Sequence, residues 1–264
     1  MSSSQPQTLA ALERISVGGV PFVSTDLEEA VSLLLKESLS HTGYRGSVRF
    51  ANAYCVAQAS KNQSYRILLE KSGINFPDGK PISLYMRRRK PSGVTQSQQV
   101  RGPSAFALAL ESGQELGIRH FFLGSTPETL DMLVDSVRRK YPAAVVAGSH
   151  SPVFGPLDQN FFETCVSEIL KTEPDIVWVG MGTPKQDFAS EELALATGTI
   201  CAGVGAAFDF IAGSKREAPA WVQKAGVEWL FRLISEPGRL WKRYLFGNIR
   251  FLWVSERALW KERK

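Results

Sequence analysis

A single aspartate follows an apolar segment in the first third of the chain. Asp78 lies in the turn-forming sequence Asn75-Phe-Pro-Asp-Gly79, directly after the strand-like residues 74–76. A lone carboxylate in such a turn is most often a turn former. At the ligand-binding edge of a parallel sheet, however, it would act as a general base on a hydroxyl group. Asn52 follows a second strand-like segment and is expected near Asp78.

Two glycine-rich turns later in the chain have the composition of ligand-binding loops. In the first, Gly180 and Gly182 precede a predicted helix. Free backbone N–H groups and the helix dipole would bind a diphosphate there, with Lys185 adding positive charge. The purely structural alternative is a capping box formed by Thr183 and Gln186.

The second turn contains Gly203 and Gly205 and ends at Asp209. Small residues at this place permit a ligand to approach the backbone closely. Asp209 could then accept a hydrogen bond from a ribose or a uracil. The structural alternative is that the glycines only let a helix pack tightly.

The chain lacks the motifs of several common enzyme classes. Neither turn matches the GxGxxG fingerprint or the GxxxxGK[ST] phosphate loop, which disfavours a nicotinamide-dependent oxidoreductase or an NTPase. The three histidines are scattered and no Asp-x-Asp pair is present, so we expect no metal site and no cofactor. Backbone amides and cations such as Arg101 would then neutralise a bound diphosphate.

The residues named above would be positioned by secondary-structure elements that alternate along the chain. Short apolar segments alternate with longer segments of helical pattern. This alternation predicts a Rossmann-like α/β fold, a mostly parallel sheet with helices on both faces, with ligands at the carboxyl ends of the strands. Predicted strands are 47–51, 74–76, 119–123, 144–147, 175–180 and 199–204, after a hairpin over 15–23. Predicted helices are 25–39, 54–71, 103–116, 125–140, 157–171, 184–196, 220–234 and 238–263.

The last 51 residues differ in amino-acid composition from the rest of the chain. Residues 214–264 contain 12 of the 31 Lys and Arg residues, 5 of the 26 Asp and Glu residues, and five of the six tryptophans. We therefore divide the chain into an α/β core over 1–213 and a basic, Trp-rich helical appendage over 214–264.

The last predicted helix is basic along one side and apolar along another. The structural alternative is an amphipathic helix packed on the core, whereas the interpretation we favour is a helix at the membrane interface. Nucleic acid would be the other anionic partner of such a surface. The basic residues are Arg239, Arg243, Arg250, Arg257, Lys261 and Lys264, and the apolar ones are Trp241, Tyr244, Leu245, Leu252 and Leu259.

The overall composition is that of a globular chain. Its 264 residues are 44% hydrophobic and 22% charged, enough to bury a full core. The apolar uncharged run 193–208 is short and interrupted by glycines, so no membrane-spanning helix is expected. The N-terminal residues lack the pattern of a secretory signal and the three cysteines are widely spaced, from which we expect a cytoplasmic protein.

Several blocks in a fixed order resemble the WecG/TagA/CpsF family of bacterial glycosyltransferases, glycosyltransferase family 26. The resemblance extends from about residue 15 to about residue 244. Each block is weakly specific alone, but the ordered set is specific. The blocks are Pro77-Asp78-Gly79, Val100-Arg101-Gly102, Phe122-Leu-Gly124, and residues 179–186, 203–213, 218–221 and 227–239.

The resemblance implies a metal-independent, inverting enzyme that moves a hexose from a UDP-sugar to a polyprenyl-diphosphate-linked saccharide. The product would be an exopolysaccharide or cell-wall polymer, and Asp78 would be the base. The donor-binding candidates are Asn52, Arg101, Gly102, Gly124, Gly180, Gly182, Lys185, Gln186, Gly203, Gly205 and Asp209. The candidates for the acceptor diphosphate and the membrane are Arg216, Arg232 and Arg239, with Arg243 from the basic side of the last helix.

Three positions depart from the family's pattern. Phe50 stands where Thr is frequent, and Ser104 stands where an acid usually follows the Arg-Gly block. The arginine that usually precedes Ala-Pro is displaced to Arg216, which leaves Glu217 in its place. The donor is therefore left open between UDP-glucose and UDP-N-acetylmannosamine or its uronate.

The expected partners are the UDP-sugar, the lipid-linked acceptor and the inner face of the cell membrane, where the enzyme would be peripheral. A homo-oligomer is suggested by the family, and no nucleic acid is expected. The alternative function is a non-enzymatic nucleotide-binding α/β protein whose basic tail binds nucleic acid.

Overall fold

The computed structural model describes residues 8–40, 42–89 and 98–262, apart from the side chains of Lys224, Arg239, Lys261 and Glu262. Within these residues, a six-stranded sheet of order β4-β3-β8-β7-β5-β6 is parallel throughout, and a separate antiparallel hairpin pairs β1 with β2. The predicted α/β class and hairpin are confirmed. The strands are β1 (Arg14–Val17), β2 (Val20–Val23), β3 (Ser47–Ala51), β4 (Ile74–Pro77), β5 (Arg119–Gly124), β6 (Val145–His150), β7 (Ile176–Gly180) and β8 (Ile200–Gly203).

The helices connect the strands and continue past the last one. A single 3₁₀ turn, Leu9–Ala11, precedes them. They are α1 (Leu27–Leu39), α2 (Ala53–Ala59), α3 (Gln63–Lys71), α4 (Lys80–Arg89), α5 (Gly102–Leu116), α6 (Pro127–Lys140), α7 (Gln159–Leu170), α8 (Lys185–Thr197), α9 (Ala207–Ala212), α10 (Ala220–Ala225), α11 (Glu228–Ser235) and α12 (Pro237–Glu262).

Two predicted helices are each divided in the structure. The segment 54–71 forms α2 and α3 because the Asn62 side chain accepts from the Tyr65 N–H at 2.9 Å and starts a second helix. The segment 220–234 forms α10 and α11 because Gly226, with a φ of 77°, ends the first of them.

The cap of α1 also differs from the expected one, and α4 was not predicted. Asp26, not Thr25, caps α1 by accepting from the Glu29 N–H at 2.9 Å. Three consecutive arginines end α4 and make its sequence look polar. The apolar side of the helix, which contains Ile82 and Met86, is nevertheless buried.

The sheet is packed on both faces. One face is covered by α1, α5, α6 and α9, and its centre is a group of buried rings in which Phe106 lies 5.0 Å from Trp178 and 5.5 Å from Phe208. The other face is covered by α7 and α8 and, beside β3 and β4, by α2, α3, α4 and the hairpin. The carboxyl edge of the sheet is left as the place where loops from both halves of the chain meet.

The C-terminal helix α12 is docked on the core, against α2 and α4. Phe251 is buried and meets the Tyr85 ring edge-on at 5.3 Å, while Arg250 Nε donates to Ser60 Oγ at 2.9 Å. Glu256 accepts from the Tyr85 hydroxyl at 2.6 Å. The helical appendage thus packs on the α/β layers, and the division at residue 213 stays a prediction.

A second side of the C-terminal helices is apolar and exposed. We call it the exposed apolar face, and it continues from α12 onto α10 and α11. No helix in the described ranges is long and apolar enough to cross a membrane. The face consists of Trp221, Trp229, Leu230, Ile234, Trp241, Leu245, Phe246, Ile249, Leu252, Trp253 and Trp260.

Candidate active site

The ends of β3 and β4 bring Asn52 and Asp78 together. The two strands are neighbours, and the Asp78 N–H donates to the Ala51 carbonyl at 2.9 Å. Asn52 caps α2 by accepting from the Tyr54 N–H at 3.0 Å, and its side chain also hydrogen-bonds to the Asp78 carboxylate. Because a strand end and a helix cap hold both backbones, the carboxylate has a fixed place at the carboxyl edge.

The surroundings of Asp78 raise the pKa of its carboxyl from 3.8 to about 6. Burial is the largest cause, and the negative charge of Glu228 adds to it. The positive charges of Arg101 and Arg232 and the hydrogen bond from Asn52 act in the opposite direction. At neutral pH such a carboxylate is mostly ionised and close to its pKa, which suits a general base.

Arg101 stands at the N-terminus of α5 and is 6% exposed. Its Nε and Nη2 donate to the two carboxylate oxygens of Glu228, each at 2.8 Å, and its Nη1 donates to Glu217. Burial lowers the pKa of Arg101, but the hydrogen bond and charge of Glu228 more than offset this and leave it above its ordinary value. The guanidinium therefore remains charged.

Arg232 places a second guanidinium against the same aromatic ring as Arg101. The Cζ atoms of Arg101 and Arg232 are each 5.8 Å from the centroid of the Phe210 ring. The charge of Arg232 acts on Asp78 as well. The structure thus gathers Asp78 and two cations from α5 and α11 at one place.

Gln186 joins the two glycine-rich turns. Its side chain is buried, and its Oε1 accepts from the Gly182 N–H at 2.9 Å and from the Gly205 N–H at 3.1 Å. The alternative capping box with Thr183 does not form, since the residue at the N-cap of α8 is Pro184 and no side-chain cap is present. One amide oxygen therefore links the ends of β7 and β8.

Glycine is required where these strands end. A Cβ on Gly180 would lie 2.6 Å from Phe208 Cδ2, and Gly182 has a φ of 77°. Gly124, at the end of β5, pairs with Gly180 across the sheet.

Behind the first turn lies a buried polar cluster that includes a residue of α12. Asp187 is 3% exposed and accepts from the Tyr65 hydroxyl at 2.6 Å. Burial raises the pKa of Asp187, and the hydrogen bond from Tyr65 and nearby positive charges, Arg243 among them, oppose that rise. The Arg243 guanidinium lies over the Tyr54 ring at 4.1 Å. Arg243 is thus part of the contact between α12 and α2.

Of the remaining candidates, Lys185 and Asp209 have polar groups that are already engaged by other parts of the chain. Lys185 Nζ donates to the Gly155 carbonyl at 2.6 Å and faces the Phe154 ring. Asp209 is paired with Lys215 at 3.0 Å. Arg216 is exposed, and the side chain of Arg239 lies outside the described residues. Gly203 packs against Gln186. The binding roles of these residues stay predictions.

The sequence did not single out Glu228 or Phe210 as site residues. Both lie within the sequence blocks quoted above, but nothing in their residue types or spacing indicated a role in the site. The available signal was Arg101 itself, because an arginine that the fold buries needs carboxylate partners.

The family model for the "Glycosyl transferase WecG/TagA/CpsF family" matches residues 15–264. The chain belongs to this family. Curated relatives include the N-acetylglucosaminyldiphosphoundecaprenol N-acetyl-beta-D-mannosaminyltransferases of Bacillus subtilis (strain 168) and Bacillus spizizenii (strain ATCC 23059 / NRRL B-14472 / W23). Each is 26% identical over 231 residues, which cover 87% of this chain and 86% of the relative. The protein is therefore a glycosyltransferase.

The positions at which this WecG/TagA/CpsF member departs from the family's pattern lie around Arg101 and Gly102. Phe50 is next to Gly102, on which a Cβ would lie 3.3 Å from the Phe50 ring. Ser104 Oγ accepts from Arg101 Nη1 at 3.4 Å, and Glu217 accepts from the same nitrogen. The local differences are thus concentrated on one wall of the site.

The side chains of this glycosyltransferase offer no clustered metal ligands in the described part of the chain. No group of three or more His, Cys, Asp or Glu residues there could hold a metal ion. The expectation of metal-independent transfer stays a prediction.

Proposed function

We propose that the protein is an inverting glycosyltransferase that moves N-acetylmannosamine from UDP to a polyprenyl-diphosphate-linked N-acetylglucosamine. The observation that supports this most is Asp78, a carboxylate with a raised pKa beside Arg101 and Arg232 at the carboxyl edge of a family member. The names of the two Bacillus relatives, N-acetylmannosaminyltransferases that act on N-acetylglucosaminyldiphosphoundecaprenol, support the choice of sugar and acceptor. The polymer would belong to the cell wall or an exopolysaccharide.

In the proposed reaction Asp78 accepts the proton of the acceptor hydroxyl. The hydroxyl oxygen forms a bond to the anomeric carbon from the face opposite UDP. The bond between that carbon and the diphosphate oxygen breaks, and UDP leaves with the electron pair. An α-linked donor thereby gives a β-linked product.

The leaving diphosphate needs positive charge, and the site offers several sources. Arg232 lies beside Asp78. The N–H groups of Gly182 and Gly205 donate to Gln186 Oε1 at the ends of β7 and β8, so a diphosphate would have to replace that oxygen as their acceptor. Arg101 adds its positive charge from its place against Glu228. Arg216 is exposed beyond them and would meet the acceptor diphosphate.

We place the enzyme on the inner face of the cell membrane, because a lipid-linked acceptor must be met there. The exposed apolar face supports this placement. Ile234 and Ile249 on that face are 73% and 61% exposed, a costly arrangement in water. Lys242 and Arg257, over the rings of Trp241 and Trp253, would meet lipid phosphates.

The test is a donor panel with a short-chain polyprenyl-diphosphate N-acetylglucosamine acceptor, measured as UDP release with and without EDTA. The donors are UDP-N-acetylmannosamine, its uronate and UDP-glucose. We expect turnover with UDP-N-acetylmannosamine that EDTA does not reduce. Asp78→Asn should lower kcat by roughly 10²- to 10⁴-fold, while Asp135→Asn, an exposed aspartate on α6, serves as the matched control.

Two results would contradict the proposal. One is the absence of UDP release with every donor. The other is an Asp78→Asn enzyme that turns over at the wild-type rate, since the base would then be elsewhere. Turnover with UDP-glucose alone would contradict the choice of sugar and leave the base assignment standing.

A further inference from the structure

Glu228, the first residue of α11, makes a two-point contact with Arg101. Both carboxylate oxygens accept from the guanidinium at 2.8 Å, a fork-to-fork arrangement that fixes the plane of both groups. The Glu228 side chain is 20% exposed and that of Arg101 is 7% exposed. An ion pair in this setting is held more rigidly than a surface pair.

The charges that face Asp78 come from several elements. Arg101 belongs to the start of α5, while Glu228 and Arg232 are one turn apart on α11. Asn52, at the start of α2, contributes a neutral hydrogen bond. Glu217, before α10, contacts Arg101 from its other side. The cations exceed the nearest carboxylate in number, so the loss of that carboxylate would leave Asp78 in a strongly positive field.

We propose that Glu228 is a positioning residue that holds the Arg101 guanidinium beside Asp78 and offsets its positive charge there. The carboxylate of Glu228 thereby keeps the base able to take up a proton while a cation stays within reach of the substrate phosphates. Its catalytic consequence depends on the function proposed above, whereas its effect on Asp78 is a property of the folded chain.

Glu217 contacts the same guanidinium but has a different role. It accepts from one nitrogen only, and its side chain is 41% exposed. The charges acting most strongly on Asp78 are those of Glu228, Arg101 and Arg232. Glu217 is therefore a matched control. Its replacement takes one carboxylate away from Arg101 and leaves the charges that act most strongly on Asp78 unchanged.

The experiment is a titration of the Asp78 carboxyl by ¹³C NMR in the full chain with labelled aspartate. We expect Glu228→Gln to lower the pKa of Asp78 by about half a unit or more. The glutamine keeps one acceptor for Arg101 and loses the negative charge. Glu228→Asp, which keeps the charge, and Glu217→Gln should leave the pKa of Asp78 near the wild-type value.

A measurement on the wild-type chain covers the case in which Glu228→Gln does not fold. With labelled glutamate, the Glu228 carboxyl signal should shift as Asp78 titrates, since the two groups are coupled. An unchanged or raised pKa of Asp78 in Glu228→Gln would overturn the proposal. So would a Glu228 signal that does not respond to the titration of Asp78.

Kinetics then connect the effect to turnover. In Glu228→Gln the acid limb of kcat/KM should move to lower pH by the shift seen in the NMR titration, and the plateau should fall because a weaker base remains. If the NMR shift is present but no sugar is transferred by any variant, the proposed function fails and the role of Glu228 stands.

Discussion

At the scale of single residues, the surroundings of Asp78 that suit its carboxylate to proton transfer also destabilise the folded chain when that carboxylate is ionised. Its pKa is raised from 3.8 to about 6 in the folded protein, so the folded chain binds a proton more tightly than the unfolded chain. The free energy of unfolding therefore decreases as pH rises from about 4 to about 6, and the loss is complete above that range.

We predict that Asp78→Asn is more stable than the wild type at pH 7. One pKa unit corresponds to about 1.4 kcal/mol, so the gain should be about 1 to 3 kcal/mol. Most of the gain should be lost at pH 4, where wild-type Asp78 is protonated in the folded chain and about half protonated in the unfolded chain. Urea unfolding at both pH values measures it.

Asp135→Asn again serves as the control, and its free energy of unfolding should be close to that of the wild type at each pH. Equal stability of Asp78→Asn and the wild type at pH 7 would show that the site does not destabilise the charged carboxylate.

At the scale of elements, sequence patterns located most of the sheet and the backbone positions of the site. Alternating apolar and helical segments indicated the parallel strands, and Asn52 and Asp78 follow two of them that proved to be neighbours. What the patterns could not give is the pairing of side chains distant in sequence. Arg101 and Glu228 are 127 residues apart, and only the docking of α11 on the core joins them.

Capping roles were equally hard to predict where two candidates are adjacent. Thr25 and Asp26 both fit the start of α1, and the backbone geometry alone decides for Asp26. Likewise Gln186 has the right spacing to cap with Thr183, but its amide oxygen serves two loop N–H groups instead. The local sequence pattern identifies residues that can cap a helix, but the tertiary structure decides which hydrogen-bond partner each of them takes.

We predict that Arg243 stabilises the contact between α12 and α2. Its guanidinium lies 4.1 Å from the Tyr54 ring centroid and favours the ionised form of buried Asp187. Arg243→Met keeps the apolar stem and should lower the free energy of unfolding by about 1 to 2 kcal/mol. Chemical unfolding of the full chain measures the loss.

Arg257→Met is the matched variant for this prediction. Arg257 also lies over a ring, that of Trp253, but it is on the exposed side of α12. Its replacement should cost less than about 0.5 kcal/mol. Equal effects of the two substitutions would show that Arg243 does not hold α12 on the core.

At the scale of the whole molecule, α12 is apolar on two sides. Leu240, Phe251 and Leu259 are buried against the core, whereas Trp241, Leu245 and Ile249 are exposed. A helix that only packed on the core would need the first side alone. The second side supports the membrane placement proposed above.

We predict that Leu245→Ser with Ile249→Ser weakens binding to vesicles that contain anionic lipid by at least roughly tenfold. Inserting either side chain into lipid contributes about 1.5 to 3 kcal/mol when burial is complete, and about 1.4 kcal/mol is a factor of ten. Co-sedimentation with vesicles measures the change. The fold should be unaffected, since both side chains are more than half exposed.

The matched double variant is Val153→Ser with Phe154→Ser. These side chains are 88% and 99% exposed and lie between β6 and α7 instead of on the C-terminal helices. Vesicle binding should be unchanged there. Equal binding by all variants, or binding of DNA in place of vesicles with a steep salt dependence, would favour the nucleic-acid alternative.

The two-point contact between Arg101 and Glu228 also has a consequence for biosynthesis. The ribosome makes Asp78 and Arg101 before Glu228 and Arg232, so Arg101 is synthesised before the carboxylate partner on α11 that it contacts in the folded chain. The set of charges around Asp78 is therefore complete only when α11 has been translated and has docked.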